Sequence, residues 1–523
     1  MTSVWKMSKE HRVASTGDLE VGQMKEIEVA GTKVLLARLE DGFHAVGATC
    51  PHKGAPMVEG ALIGSHLRCP WHQAVFDAGS GRLLEPCSLD SLPNYELRVE
   101  GGDVYIRIPE DAPDSCEPEM VDLDPEADGM TFVILGSGAA GMAAAETLRS
   151  DGFKGRIIMV TREDDMPYDR TELSKWYLGD PGSEEPLVRS KDFYDDHGIQ
   201  LLLGREVEGV EAGKKFISFT DGSKLAYDRL LLATGSNPRH LGVPGEDLDN
   251  VLVLRSLADC RKIRELAREG SSAVVVGASF IAMEVSAFLR QRGVEITVVG
   301  PDEVPFGRVL GPEIGGMYRA EHETNGVNFR LGRRVSRFEG RGSVSSAVLD
   351  DGEKISADFV VLGVGVTPST GYLRGFDLNG DGSVTVNGQM RVCEDIYAAG
   401  DIATFPDWRT GTPIRIEHWR QALQLGRLAA HNMSGKNASY SDVPFFWTFQ
   451  FSVNVKYAGY AVDWDEIIYD GDPSEQDFVA YYVKGGRVEA AAACNQTLKI
   501  CKIAEMLGSS IKPTVEEIRS NLQ

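Results

Sequence analysis

Val133-Ile-Leu-Gly136-Ser-Gly138-Ala-Ala-Gly141 decides the architecture of most of this chain. An apolar strand runs into a glycine turn and then into the alanine-rich start of a helix. Glycines at this spacing let the backbone approach a pyrophosphate at the helix N-terminus, and an acid about 20 residues on can hold a ribose hydroxyl pair. Glu163 stands in that place. A second unit opens 141 positions later with Val274-Val-Val-Gly277-Ala-Ser279-Phe-Ile-Ala282. Each unit is closed by a strand with a small-residue end, Leu230-Leu-Leu-Ala233-Thr234-Gly235 and Val360-Val-Leu-Gly-Val-Gly365. Two dinucleotide-binding folds in one chain is the economical reading.

Upstream, residues 1–108 alternate short strand-like runs with Gly- and Pro-marked turns, the pattern of a small all-β module. It carries Cys50-Pro-His52, then sixteen residues, then Cys69-Pro-Trp-His72. One thiolate and one imidazole in each of two tight loops suit a Rieske [2Fe-2S] cluster, with two cysteines on one iron and two histidines on the other. A Cys2His2 zinc site is the alternative, although zinc fingers usually group like ligands around a helix. Residues 109–128 are acid-rich, free of bases and contain four prolines. That composition predicts a solvated linker able to span roughly 65 Å, which would restrain the β module only loosely. The expected order is therefore an all-β module (1–108), the linker (109–128), and an α/β flavoprotein of glutathione-reductase-like design. The latter divides into a first FAD-binding part (129–256), an NAD(P)-binding domain (257–365), a second FAD-binding part (366–440) and an α+β C-terminal domain (441–523).

With 523 residues and a net charge of −24, the chain shows no basic patch for a nucleic acid. Its longest charge-poor run, Thr131 to Ala145, is broken by glycines and reads as strand, turn and helix rather than a membrane span. The segment Met1 to Arg12 lacks the apolar core of a signal peptide, so the expectation is a cytoplasmic protein. No cysteine lies between Cys116 and Cys260, which excludes a redox disulfide beside the flavin. The Asp377-Leu-Asn379-Gly-Asp381-Gly382 stretch imitates a calcium loop but has Gly388 where the bidentate Glu belongs.

Pro167-Tyr-Asp-Arg-Thr-Glu-Leu-Ser-Lys175, Ala233-Thr234-Gly235, Leu254-Arg-Ser-Leu-Ala-Asp259 and Ile396-Tyr-Ala-Ala-Gly400-Asp401 resemble the FAD-dependent pyridine-nucleotide oxidoreductases. Within them the resemblance is to the ferredoxin-reductase and apoptosis-inducing-factor branch, and specifically to its Rieske-containing members. It implies that Gly136, Gly138, Gly141 and Glu163 hold the adenosine half of FAD. Arg170 and Lys175 would lie along the flavin, Glu284 would pair with Lys175 and border the nicotinamide, and Asp401 would serve the ribityl or phosphate side. His418, Trp419 and Trp447 would flank the isoalloxazine. A cation beside the flavin stabilises the anionic reduced ring.

Two departures bear on the nicotinamide. The second fingerprint keeps only its first glycine, Gly277, with Ser279 and Ala282 in the other places. The following strand ends at Gly300, where an acid would select NADH. Asp302 or Glu303 are the substitutes, no Arg follows immediately, and NADH is slightly favoured over NADPH. The chain thus reads as a fused ferredoxin reductase and ferredoxin, in which NAD(P)H reduces FAD and single electrons pass to the tethered Rieske cluster and on to an acceptor. Ala55, Trp71, Ala74 and Phe76 replace the sulfur hydrogen-bond donors and extra cysteines of high-potential Rieske proteins, so a low-potential cluster is expected. The rival readings are an NAD(P)H oxidase and a redox-sensing interaction protein. Expected partners are NAD(P)H, an acceptor such as an oxygenase, and a second copy in a homodimer, with no nucleic acid and no membrane.

Overall fold

The computed structural model describes residues 9–211 and 213–522. Met1 to Ser8, the first part of the segment read for a targeting signal, lie outside the described residues. Within them no helix is long and apolar enough to cross a membrane.

The first glycine fingerprint sits where the sequence places it. Thr131–Leu135 is the middle of a parallel sheet in the order Ile199–Leu202, Arg156–Val160, Thr131–Leu135, Arg229–Leu232, Ile396–Ala398, with Arg391–Cys393 added antiparallel at the edge. Its strands are continuous apolar runs because helices cover them. Ala139–Ser150, six of whose residues are alanine or glycine, packs against Trp419–Met433 so closely that a Cβ on Gly426 would lie 2.1 Å from the Ala140 carbonyl oxygen. The second fingerprint follows Ser272–Val276, the centre of a five-stranded parallel sheet that also holds Glu295–Gly300 and Phe359–Leu362. The strand from 396 returns to the first sheet, as the split FAD-binding region requires.

The C-terminal region is a five-stranded antiparallel sheet led by Phe445–Gln450 and Val453–Gly459, backed by the helices Thr497–Leu507 and Val515–Leu522. The N-terminal module is built from three small antiparallel sheets. Its two Cys/His loops cap the sheet containing His66–Arg68 and Val75–Asp77.

The acidic stretch does not behave as the loose linker its composition suggests. Cys116 pairs with Ser91 through backbone hydrogen bonds in both directions, the Val121 N–H donates to the Arg149 carbonyl, and the Asp124 N–H donates to the Lys154 carbonyl. Leu123 lies against Gly198. These attachments use backbone groups and one apolar side chain, so the acids stay in water while the main chain is held.

The β module is seated on the flavoprotein body. Arg420, 2% exposed, donates to the carbonyls of Pro86 and Gln73 and to the Glu85 carboxylate. Arg68 binds Glu505, and Lys53 reaches Asp169 at 3.3 Å and Glu172 at 3.1 Å.

Candidate active site

One cavity of about 1630 Å³ runs from the first fingerprint to the second and collects most of the residues expected there. Gly136, Gly138, Glu163, Arg170, Lys175, Ala233, Thr234, Gly235, Gly277, Ser279, Glu284, Gly365, Gly400, Asp401, His418, Trp419 and Trp447 all line it. Gly141 does not. A Cβ there would lie 1.9 Å from the Gly136 carbonyl oxygen, so this glycine serves the packing of helix on strand. Gly138 is the open one: nothing lies within 4 Å of where its Cβ would be, which leaves room for a phosphate at the helix N-terminus. Gly136 and Gly277 have φ of +111° and +114°, and each would drive a Cβ into a carbonyl of the neighbouring strand end.

Lys175 and Glu284 come from different domains and meet in this wall. Nζ lies 2.8 Å from Oε2, with 8% and 3% of the residues exposed. Ser174 donates to the same oxygen at 2.5 Å, Thr448 donates to Oε1 at 2.9 Å, and Lys175 also donates to the Thr171 carbonyl. Glu284 thus accepts three hydrogen bonds, which hold both charges in place inside a buried site. Asp401 accepts from Arg255 and Ser236, each at 3.0 Å.

Arg170 lines the cavity and has a second engagement beyond the one the resemblance implies. It pairs with Glu163 at 2.9 Å and donates to the Arg255 carbonyl, while Tyr168 donates to the other Glu163 oxygen at 2.6 Å. It thus holds the Glu163 carboxylate in place. His418 stacks on Phe446 with centroids 4.4 Å apart, and burial pulls its pKa down to about 4, so it is neutral at physiological pH.

At the nicotinamide end, Asp302 lines the cavity but is engaged by Arg308 at 2.5 Å, and Arg333 and Arg334 line the same wall. Glu303 is not in the lining. The chain bend that returns Arg333 to Gly300, through an N–H donated to the Gly300 carbonyl, brings in cations that no local spacing announces.

The four candidate metal ligands of the β module separate into two pairs. The Cys50 and Cys69 thiols are neighbours, and the Nδ1 atoms of His52 and His72 face each other at 3.1 Å. Among the described residues no three metal-binding side chains converge on one point. A mononuclear zinc site needs four convergent donors, whereas a thiol pair beside an imidazole pair fits a two-iron cluster. Backbone hydrogen bonds from Cys50 to Ala55 and from Cys69 to Ala74 shape the loops, and Ala55, Ala74 and Phe76 are fully buried around them with no hydroxyl to offer.

The two sites touch. The His72 ring lies 4.2 Å from the Trp447 ring, and Trp447 lines the cavity that holds Lys175 and Glu284. On the other side, His52 Nε2 is 4.0 Å from Asp169, the residue that caps the turn leading to Lys175. The residues that create this contact are Arg420, Glu85, Gln73, Lys53 and Asp169. They have no local signature because each acts across the interface.

Three family models match in chain order: a Rieske [2Fe-2S] domain over residues 9–96, a pyridine nucleotide-disulphide oxidoreductase over 130–426, and a reductase C-terminal domain over 445–521. The chain is 39% identical to apoptosis-inducing factor 3 of Homo sapiens, across 96% of this chain and 84% of that protein. It is 33% identical to the ferredoxin–NAD(+) reductase component of the biphenyl dioxygenase system of Paraburkholderia xenovorans, across 75% and 97%. Among solved structures, the covalent putidaredoxin reductase–putidaredoxin complex matches with a TM-score of 0.71 at 29% identity, covering 74% of this chain and 95% of that one. A ferredoxin reductase from Rhodopseudomonas palustris matches with a TM-score of 0.70 at 29% identity, over 75% and 100%. The chain belongs to the pyridine nucleotide-disulphide oxidoreductases, as a ferredoxin-reductase-type enzyme that uses FAD and NADH and carries its own Rieske [2Fe-2S] domain.

Proposed function

We propose that this enzyme moves electrons from NADH through FAD to the Rieske cluster of the same chain, and from there to a separate redox protein such as an oxygenase component. FAD supplies hydride acceptance and single-electron release, and the cluster supplies one-electron storage. The protein's part is to hold these groups in order. Gly136, Gly138, Glu163 and Asp401 bind the FAD chain, with Arg170 steadying Glu163. Gly277, Ser279 and Gly365 admit the nicotinamide nucleotide. Lys175, fixed by Glu284, keeps a positive charge where negative charge develops on reduction. His418, Trp419 and Trp447 exclude water from the ring. Cys50, Cys69, His52 and His72 hold the cluster, and the lack of a side-chain hydroxyl at Ala55, Ala74 and Phe76 suits a low potential.

The observation that carries this reading is the His72–Trp447 contact, which joins the module's imidazole edge to the wall of the flavin cavity. Ion pairs and hydrogen bonds at Arg420, Arg68 and Lys53 hold the two together. An anaerobic NADH titration followed by visible absorption and low-temperature EPR tests it. Flavin bleaching accompanied by a growing Rieske-type signal supports the relay. Bleaching with an assembled, oxidised cluster that stays silent overturns it, and fast peroxide formation from the same sample then favours an oxidase.

A further inference from the structure

Lys456 stands directly across from Trp447 in the antiparallel pair of Phe445–Gln450 and Val453–Gly459, so both side chains leave the same face of the sheet. Trp447 meets His72 of the module's second ligand loop. Lys456 reaches the same loop through the neighbouring helix: Gln73 Nε2 donates both to the Cys69 carbonyl at 3.4 Å and to Cys501 Sγ, one turn from the Thr497 that holds Lys456, and the Lys456 charge is felt at Cys69. Lys456 is 6% exposed, and its Nζ donates to the hydroxyl of Thr497 at 2.6 Å. The other titratable groups that its charge acts on are Cys501, Cys494, Glu59 and His72. Among the described residues no carboxylate lies within ion-pair distance of it, and an ammonium buried without a counter-charge is costly.

The ligand loop is fixed over this cation. Thr497, Cys501 and Glu505 recur every fourth residue along one face of the helix Thr497–Leu507. The first holds Lys456, the second accepts a hydrogen bond from Gln73 Nε2 at 2.7 Å, and the third binds Arg68. Arg420 holds the Gln73 carbonyl and the Glu85 carboxylate from the other side.

We propose that Lys456 is a positioning residue for cluster redox chemistry: its charge, brought against the second ligand loop by docking, raises the cluster's reduction potential above that of the undocked module. This rests on the Rieske reading of Cys50, His52, Cys69 and His72. Two ferric ions, two sulfides and two thiolates sum to zero charge, and the electron received from the flavin makes the net charge −1 with no proton required. A fixed cation favours that state. By linkage, the reduced module is held more tightly than the oxidised one by the same factor. Docking thus favours electron uptake from the flavin, and release of the module makes the cluster a stronger donor to the acceptor.

The test is a redox titration of the full chain loaded with FAD and iron–sulfur cluster, read by optical spectra and low-temperature EPR. Lys456→Met lowers the equilibrium constant for cluster reduction about tenfold, or 59 mV for one electron, with the EPR line shape retained. Lys456→Arg stays near the native value. Arg420→Ala, which loosens docking, shifts the potential in the same direction, and the double variant shifts no further than the larger single change. A Rieske-type signal with an unshifted potential in Lys456→Met overturns the role of Lys456 and leaves the relay standing. No Rieske-type signal in the native chain overturns both. Where Lys456→Met does not load iron, an unshifted potential in Arg420→Ala overturns the proposal by itself.

Discussion

The His72 imidazole packs at 4.2 Å against the Trp447 indole, one from the β module and the other from the wall of the flavin cavity. A dense aromatic contact is a shorter electronic path than water or a gap. Trp447→Ala opens a void there, and the ratio of cluster-reduction rate to flavin-reduction rate falls at least tenfold. Trp447→Phe falls less. Stopped-flow absorption after mixing with NADH reads both steps.

Lys175 and Glu284 form a buried pair whose separation leaves an unpaired charge, a loss of about 3–5 kcal/mol by precedent. Glu284→Gln keeps the Ser174 and Thr448 neighbours but loses the anion. It slows flavin reduction by NADH about tenfold to a hundredfold, read in single-turnover absorbance. Lys175→Met also shifts the flavin potential downward, because the cation beside the reduced ring is gone.

The nicotinamide end joins a strand that finishes at Gly300 to three arginines, Arg308, Arg333 and Arg334. With no acid at the strand end and Asp302 engaged by Arg308, a 2′-phosphate meets cations instead of a carboxylate. NADPH is therefore expected to serve as a substrate beside NADH. Arg308→Ala lowers the ratio of kcat/KM for NADPH to that for NADH about tenfold, measured with a dye acceptor.

Asp151 ties the helix of the first fingerprint to the helix that carries His418, Trp419 and Arg420. It accepts from His431 at 2.7 Å and Lys436 at 2.5 Å, and its side chain is 4% exposed. Burial pushes its pKa up, but the hydrogen bonds and charges of His431 and Lys436 outweigh that and hold it below the ordinary carboxylate value. A depressed folded-state pKa gives stability that is present above the unfolded value near 4 and is lost as pH falls through the folded one. Asp151→Asn costs about 1–2 kcal/mol at pH 7 and progressively less as pH falls below the ordinary carboxylate value, as measured by denaturant unfolding.

Both dinucleotide folds were legible because their chemistry is local: strand, glycine turn and helix occur within about ten residues. The Cys/His loops were legible for the same reason. Gly141 shows the limit of that reading, since a motif glycine can serve phosphate or packing and only the neighbouring Gly136 carbonyl decides. The docking contacts were not legible. Arg68 and Glu505, or Glu85 and Arg420, lie hundreds of positions apart and carry no spacing rule. The acidic stretch misled by composition, because the contacts that fasten it are mostly backbone hydrogen bonds, which leave no mark on side-chain statistics.

In the proposed relay the docked module receives its electron from the flavin of its own chain. The direct measurement is the rate of cluster reduction after NADH mixing, followed anaerobically across a fiftyfold range of protein concentration. The structure predicts a first-order rate that does not change with concentration, because His72 and Trp447 are already in contact. A rate that rises in proportion to concentration would contradict it and place the transfer between separate molecules.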